Sequence, residues 1–220
     1  MNVQYKIMRF IRDIETEGGI TLNKKQMQSE QTKKRVADAA RSLFALKGYK
    51  ATSIEDIVAA TGSSKGNIYY HFKSKEGLFL YLLDEWDREW EENWEKKQWQ
   101  YQTMKEKLFG MAEQFALEDL NHPLTRAAEE FFHLEDKTNE VEERIKAIYQ
   151  NHFQFFETFI QRGIVQGEFK PVNAKYLAIA LESMFVGLNQ IARTTSSEEV
   201  GKIYHSAVQA FLFGMAKNSD

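Results

Sequence analysis

The chain contains no cysteine, only two prolines in 220 residues, and no long hydrophobic run. Without cysteine there is no disulfide framework, zinc finger, iron–sulfur ligation or thiol nucleophile. No stretch reaches the roughly 18 consecutive apolar residues of a membrane-spanning helix, so no membrane partner is expected. The opening MNVQYKIMRFIRDIETEGGITLNKKQM lacks the apolar core and cleavage site of a secretory signal. A glycine-rich phosphate loop and a nucleophile–base motif are also missing, which leaves an α-helical enzyme as only a remote alternative. Two prolines and twelve glycines leave little to interrupt helices.

What is present is a soluble globular composition, 43% hydrophobic, 13% aromatic and 28% charged. The net charge of −3 is unevenly distributed. Residues 29–76 carry +4, residues 77–220 carry −9, and residues 1–28 carry +2. A basic N-terminal third beside an acidic remainder points to a local contact with nucleic acid. Residues 1–28 read as an N-terminal extension. It is either a short amphipathic helix with Ile7, Phe10, Ile11 and Ile14 on one face, or a stretch outside a natural protein that starts at Met27.

From Ser29, a plausible N-cap, SEQTKKRVADAARSLFALKGY places Val36, Ala39, Ala40, Leu43 and Phe44 at helical spacing, with Gly48 as the stop. TSIEDIVAATG starts a short helix, where Ser53 and Asp56 resemble a capping box, and Gly62 ends it. A second short helix follows over about Ser64 to Phe72, and the pair has the ingredients of a helix-turn-helix. A long helix is expected from Lys75 to about Lys97, with Trp86, Trp90 and Trp94 in its apolar stripe. Further helices are expected over about 103–119, 123–136, 139–166, 173–193 and 197–216, and no strand pattern is seen. The fold class is all-α. Residues 29–76 form a three-helix helix-turn-helix domain, and residues 77–220 form a helical effector-binding and dimerisation domain.

SSKGNIYYHFKSKEGLF is an unusual helix sequence. Ile68 and Phe72, four apart, supply a packing side. Ser64, Asn67 and His71 share another face with Tyr70 beside them, and these types offer donors and acceptors to base edges in a major groove. Gly66 costs a helix about 1 kcal/mol relative to alanine. Either close backbone approach to DNA or packing against a neighbouring helix explains it. Lys75 and Lys73, just past the helix, suit phosphate contacts.

ATSIEDIVAATGSSKGNIYYHFKSKEGLF, with AARSLFALKGY upstream, resembles the DNA-binding signature of the TetR family of bacterial repressors, over Lys33 to Leu82. The resemblance implies about nine helices, a cytoplasmic homodimer, a double-stranded DNA operator and a small-molecule effector. Carried over by position, it implies DNA contacts at Thr52, Ser53, Ser63, Ser64, Lys65, Gly66, Asn67, Tyr69, Tyr70, His71 and Lys75. Ile54 departs from relatives that read a base with a polar residue there, so base reading from the second helix is not expected.

In the C-terminal part, GEFKP and the helix after it resemble the family's entry into its dimerisation helix. Tyr176, Leu177, Ala180, Met184 and Leu188, with Tyr204, Ala207 and Phe211 of the last helix, are the expected dimer interface. Trp86, Trp90, Trp94, Phe109, Phe115, Phe131, Phe132, Tyr149, His152, Phe153 and Phe156 are candidates to line an effector site, or else form ordinary core. Glu89, Glu129, Glu130 and Glu182 are candidates to meet a cationic effector, supported by cation–π contact with the tryptophans. EFFH, Glu130 to His133, has the Glu-x-x-His spacing of di-iron bundles, but no second copy accompanies it, so neither metal nor cofactor is expected. The expected function is a ligand-responsive repressor on a palindromic operator, released by an apolar or cationic aromatic effector. The alternative is a DNA-binding repressor without an effector.

Overall fold

The computed structural model describes residues 24–119, 121–192 and 194–215, so the expected segment around Ile7 to Ile14 lies outside them. Among these residues there are nine α-helices and no strand. They are α1 (Lys24–Lys47), α2 (Ile54–Thr61), α3 (Lys65–Phe72), α4 (Lys75–Lys97), α5 (Met104–Gln114), α6 (Thr125–Phe132), α7 (Asn139–Val165), α8 (Ala174–Ala192) and α9 (Ser197–Phe213).

Ser29 does not cap α1. The helix is already formed at Lys24, because KKQMQSEQTKKR contains no breaker and several strong helix formers. The stop at Gly48 holds: its φ of +84° is accessible to glycine at little cost. The capping box of α2 is complete, with Ser53 Oγ accepting from Asp56 N–H and the Asp56 carboxylate accepting from Ser53 N–H. Those bonds and the Lys47 ammonium at 2.9 Å hold the Asp56 carboxyl down at about 2. Gly62, left-handed at φ +64°, then turns the chain into α3, which Ser64 caps.

Two apolar cores lie along α4. The first joins α1, α2 and α3 to the first half of α4, to α6 and to the start of α7. At its centre Phe44, Tyr49, Phe79 and Phe131 meet with ring centroids 4.9–5.6 Å apart. Each such buried ring stabilises by about 1.5–3 kcal/mol. The second core takes Trp94 at the far end of α4 with α5, α7, α8 and α9. The apolar packing of the headpiece thus continues past residue 76 into Leu78, Phe79, Leu82 and Leu83, and it includes Phe131 of α6. Between α5 and α6 the chain takes one wider π-helical turn, Phe115–Asp119.

Candidate functional site

In the headpiece, α3 presents two unlike sides. Ile68 and Phe72 are buried against the first core. Ser64, Lys65, Gly66, Tyr69 and Tyr70 are exposed, and Asn67 and His71 are half-buried beside them. A Cβ added to Gly66 would meet nothing within 4 Å, so packing against a neighbouring helix does not explain this glycine. The open side of α3 accepts close approach by another molecule. Tyr70 packs edge-on against His71, at 5.1 Å between centroids. Lys65 forms an exposed ion pair with Glu55 of α2 at 2.6 Å.

Three residues expected on that surface turn inward. Thr52 is buried, its hydroxyl donating to the Gly48 carbonyl at 2.8 Å, and Ser63 is buried in the turn. Lys75 points into the headpiece, donating to the carbonyls of Tyr49 and Thr52 at 3.0 and 2.9 Å, above the Tyr49 ring. Burial lowers its pKa. These orphan carbonyls of the turn after α1 need donors, and the lysine stem is long enough to reach them from the start of α4. Lys75 is therefore a tie inside the headpiece, with no free ammonium for a phosphate. The Ser53 hydroxyl is likewise engaged with its own cap.

The eleven aromatic and histidine candidates of the body fall into separate places. Phe131 is fully buried in the headpiece core, because α6 lies on α1, and Trp86 stacks on His122 at 3.7 Å on the same side of the molecule. Neither belongs with the body's interior. Burial, then the charge of Arg41, drives the His122 pKa down to about 4. Phe109 stacks on His205 of α9 at 4.6 Å. Phe132, Tyr149 and Phe153 line an open groove of about 900 Å³ between α6, α7 and α8, together with Ile145 and Ile179. Trp90, Trp94, Phe115 and Phe156 are internal, and Phe155 and Phe185 join them.

His152, with the Tyr149 ring at 6.4 Å, holds three helices together. Its Nδ1 is 2.9 Å from Glu182 of α8, and its Nε2 is 3.6 Å from Asp87 of α4. Burial alone would lower its pKa, but the hydrogen bonds and charges of Asp87 and Glu182 outweigh that and raise it to about 10. Glu91, one turn beyond Asp87, is largely exposed, yet partial burial and then Asp87 still raise its carboxyl, against the lowering effect of His152. Two carboxylates thus flank the imidazole, and a third, Glu91, is near enough to feel its charge. Of the expected acidic candidates only Glu182, buried at 7% exposure, is here. Glu89 pairs with Arg41, and Glu130 accepts from Lys50 N–H at 2.9 Å and from Arg126. Asp87 was legible only from its position three residues before Trp90, on the tryptophan stripe. Among the described residues no group of His, Asp and Glu has a metal-holding arrangement.

On the outer side of α8 and α9, Tyr176 (68% exposed), Ile179, Val186, Ile191 and Phe213 form an apolar face with Ala180. Leu177, Met184, Leu188, Ala207 and Phe211 are only partly exposed beside it. Tyr204 is not on this face: at 1% exposure it stacks on Phe185 inside the second core. The outward face is thus rotated from the expected one, because α7 takes more of α8 than its apolar stripe alone indicates. Among the described residues no helix is long and apolar enough to cross a membrane.

Comparison with known proteins matches these two regions separately. Residues 36–82 match the family model of bacterial regulatory proteins of the tetR family, and residues 86–217 match that of the QacR-like protein, C-terminal region. The HTH-type transcriptional regulator QacR of Staphylococcus aureus is 30% identical over 185 residues, covering 84% of this chain and 98% of that protein. The uncharacterized HTH-type transcriptional regulator YfiR of Bacillus subtilis is 27% identical over 139 residues, covering 62% of this chain and 67% of that protein. Among solved structures, a TetR transcriptional regulator from Chloroflexus aurantiacus superposes with a TM-score of 0.68 at 27% identity, over 84% of this chain and 96% of that one. The transcriptional regulator FadR from Bacillus subtilis, in complex with stearoyl-CoA, shares the fold with a TM-score of 0.69 at 20% identity, over 83% of this chain and 98% of that one. These relatives are transcriptional regulators and not enzymes, and the chain belongs to the TetR family of bacterial regulatory proteins, with a QacR-like C-terminal region.

Proposed function

We propose that this protein is a ligand-responsive repressor that binds a palindromic operator as a homodimer and is released by a small aromatic effector, cationic or apolar. On the DNA side, the exposed edge of α3 supplies Ser64, Lys65, Asn67, Tyr69, Tyr70 and His71, and Gly66 lets the backbone come close. The N-termini of α2 and α3, at Ser53 and Ser64, add N–H groups for phosphates. Ile54 is buried in the headpiece, which agrees with base reading from α3 alone. A dimer formed through the apolar face of α8 and α9 sets two α3 helices to meet half-sites about one DNA turn apart. A DNA-bound role of this kind belongs in the bacterial cytoplasm.

The observation that carries the effector reading is the surplus of carboxylates around His152. Asp87, Glu91 and Glu182 outnumber the one imidazolium, and the Tyr149 ring, 6.4 Å from it, with Trp90 one turn along α4 from Asp87, is suited to a flat cation. Glu182 is buried while Asp87 is partly open to solvent, so a cation can approach the acidic cluster from outside and meet carboxylate on its inner side. The effector-free reading draws on one fact, that Trp90 and Phe115 are in stacked contact at 4.8 Å, with no gap between them.

Selection of duplexes from a random pool, repeated with aromatic cations and with fatty acyl compounds, separates the readings. An enriched palindrome released by aromatic cations is the expected result. A palindrome that no compound disturbs would leave the effector-free repressor, and no enrichment at all would overturn the DNA assignment of α3.

A further inference from the structure

Gln114, the last residue of α5, is 1% exposed, and its two polar ends have unequal fates. Its Nε2 donates to the Trp90 main-chain carbonyl at 3.3 Å, which fixes the orientation of the carboxamide. The Oε1 at the other end is buried without a hydrogen-bond partner. The indole Nε1 of Trp90 is buried without an acceptor as well. Two touching residues thus present one unmet acceptor and one unmet donor, in a wall otherwise made of Phe115, Phe155 and Phe185 rings.

Buried polar groups are nearly always satisfied, and an unsatisfied one is costly to keep. A core residue of purely structural role would avoid that cost with leucine or methionine. Trp90 follows Asp87 by one helical turn on α4, and the Gln114–Trp90 hydrogen bond sets Gln114 against that same turn, so an effector drawn to the Asp87 carboxylate would have both atoms within its reach.

We infer that Gln114 selects the effector by hydrogen bonding: its Oε1 accepts an N–H from an aromatic cation, while Trp90 Nε1–H donates to a ring nitrogen or other acceptor on the same molecule. This rests on the effector reading above and narrows it, from aromatic cations in general to those bearing amino groups. Fully N-alkylated cations of the same shape leave Gln114 Oε1 unpaired and bind more weakly. A site built to meet a donor discriminates strongly against an analogue lacking it, more than an apolar wall discriminates by size.

Two phenothiazinium dyes provide a matched pair. Thionin carries free amino groups, methylene blue carries dimethylamino groups, and both are permanent cations with the same ring nitrogen. Calorimetric titration of the full chain without DNA is expected to show thionin binding about ten- to hundredfold tighter. Gln114→Met, similar in length but without the carbonyl, removes most of that difference by weakening thionin alone. Trp90→Phe weakens both dyes alike, since both keep the ring acceptor. The wild-type comparison needs no variant and holds even if Gln114→Met folds poorly, which its helical circular dichroism reports. Equal binding of the two dyes, or a preference that Gln114→Met leaves intact, overturns the inference while the effector reading stands. Binding of neither dye removes the cationic effector reading and the inference with it.

Discussion

At the scale of single residues, the two most informative positions are Gly66 and His152. A Cβ at Gly66 has open space around it, so Gly66→Ala is expected to stabilise the free protein by about 0.5–1 kcal/mol through helix propensity. The same methyl would stand α3 away from DNA, so operator affinity falls as stability rises. Urea unfolding and operator titration on one preparation check this, and a parallel rise in both would show that close approach is not the role of the glycine. For His152 the sign follows from its direction of shift. Its pKa is raised in the folded protein, so its contribution is complete below its ordinary value near 6.5 and is lost as pH rises through about 10. Unfolding free energies should therefore fall between about pH 7 and 10 more steeply in the wild type than in His152→Gln. Equal slopes would mean that the Asp87 and Glu182 contacts do not hold the proton.

Other residues show what a sequence conceals. The Ser53–Asp56 box, the stops at Gly48 and Gly62 and the packing pair Ile68 and Phe72 were legible, because each is set by neighbours within four residues. Lys75 was not. A lysine just past a recognition helix suggests a phosphate contact, and only the folded turn at residues 49–52 reveals the carbonyls that claim its ammonium.

At the scale of elements, α6 is the piece of the body that touches the headpiece most directly. Phe131 enters the Phe44, Tyr49 and Phe79 cluster, and the Glu130 carboxylate closes over Gly48 and takes the Lys50 N–H. The positive φ of Gly48 is what requires glycine there, and a Cβ would only need the Glu130 carboxylate to shift. The backbone of the α1–α2 turn is thus tied to the element that directly follows the π turn at Phe115–Asp119, which carries a ring of the aromatic body. Glu130→Ala is expected to lower stability by about 1–2 kcal/mol. It should also reduce, several-fold, the loss of operator affinity that an effector causes, because one tie between body and headpiece is gone. A variant with wild-type effector response would place the coupling elsewhere along α4. Helical periodicity identified α6 and α7 as apolar on one side, but it did not say which neighbour each side meets. That is why the aromatic candidates, grouped by composition alone, divide between a joint, a groove and an interior.

At the scale of the whole molecule, two cores share one continuous helix, with α3 packed in the first and α8 and α9 in the second. On the proposed reading, the dimer forms through α8 and α9, away from the core that holds α3, and a change in the body reaches the headpiece through α4 and α6. If the proposed function holds, ligand and operator compete through the population of two arrangements of the dimer, and linkage requires the effect to be reciprocal. The most direct test is to titrate a selected palindromic duplex with the protein, with and without a saturating aromatic cation, following affinity by anisotropy and stoichiometry by sedimentation. Protomers bound in pairs on each palindrome, with operator affinity lowered about tenfold or more by the cation, are the expected result. Operator affinity unchanged at saturation, in a protein shown to hold the cation, would contradict it.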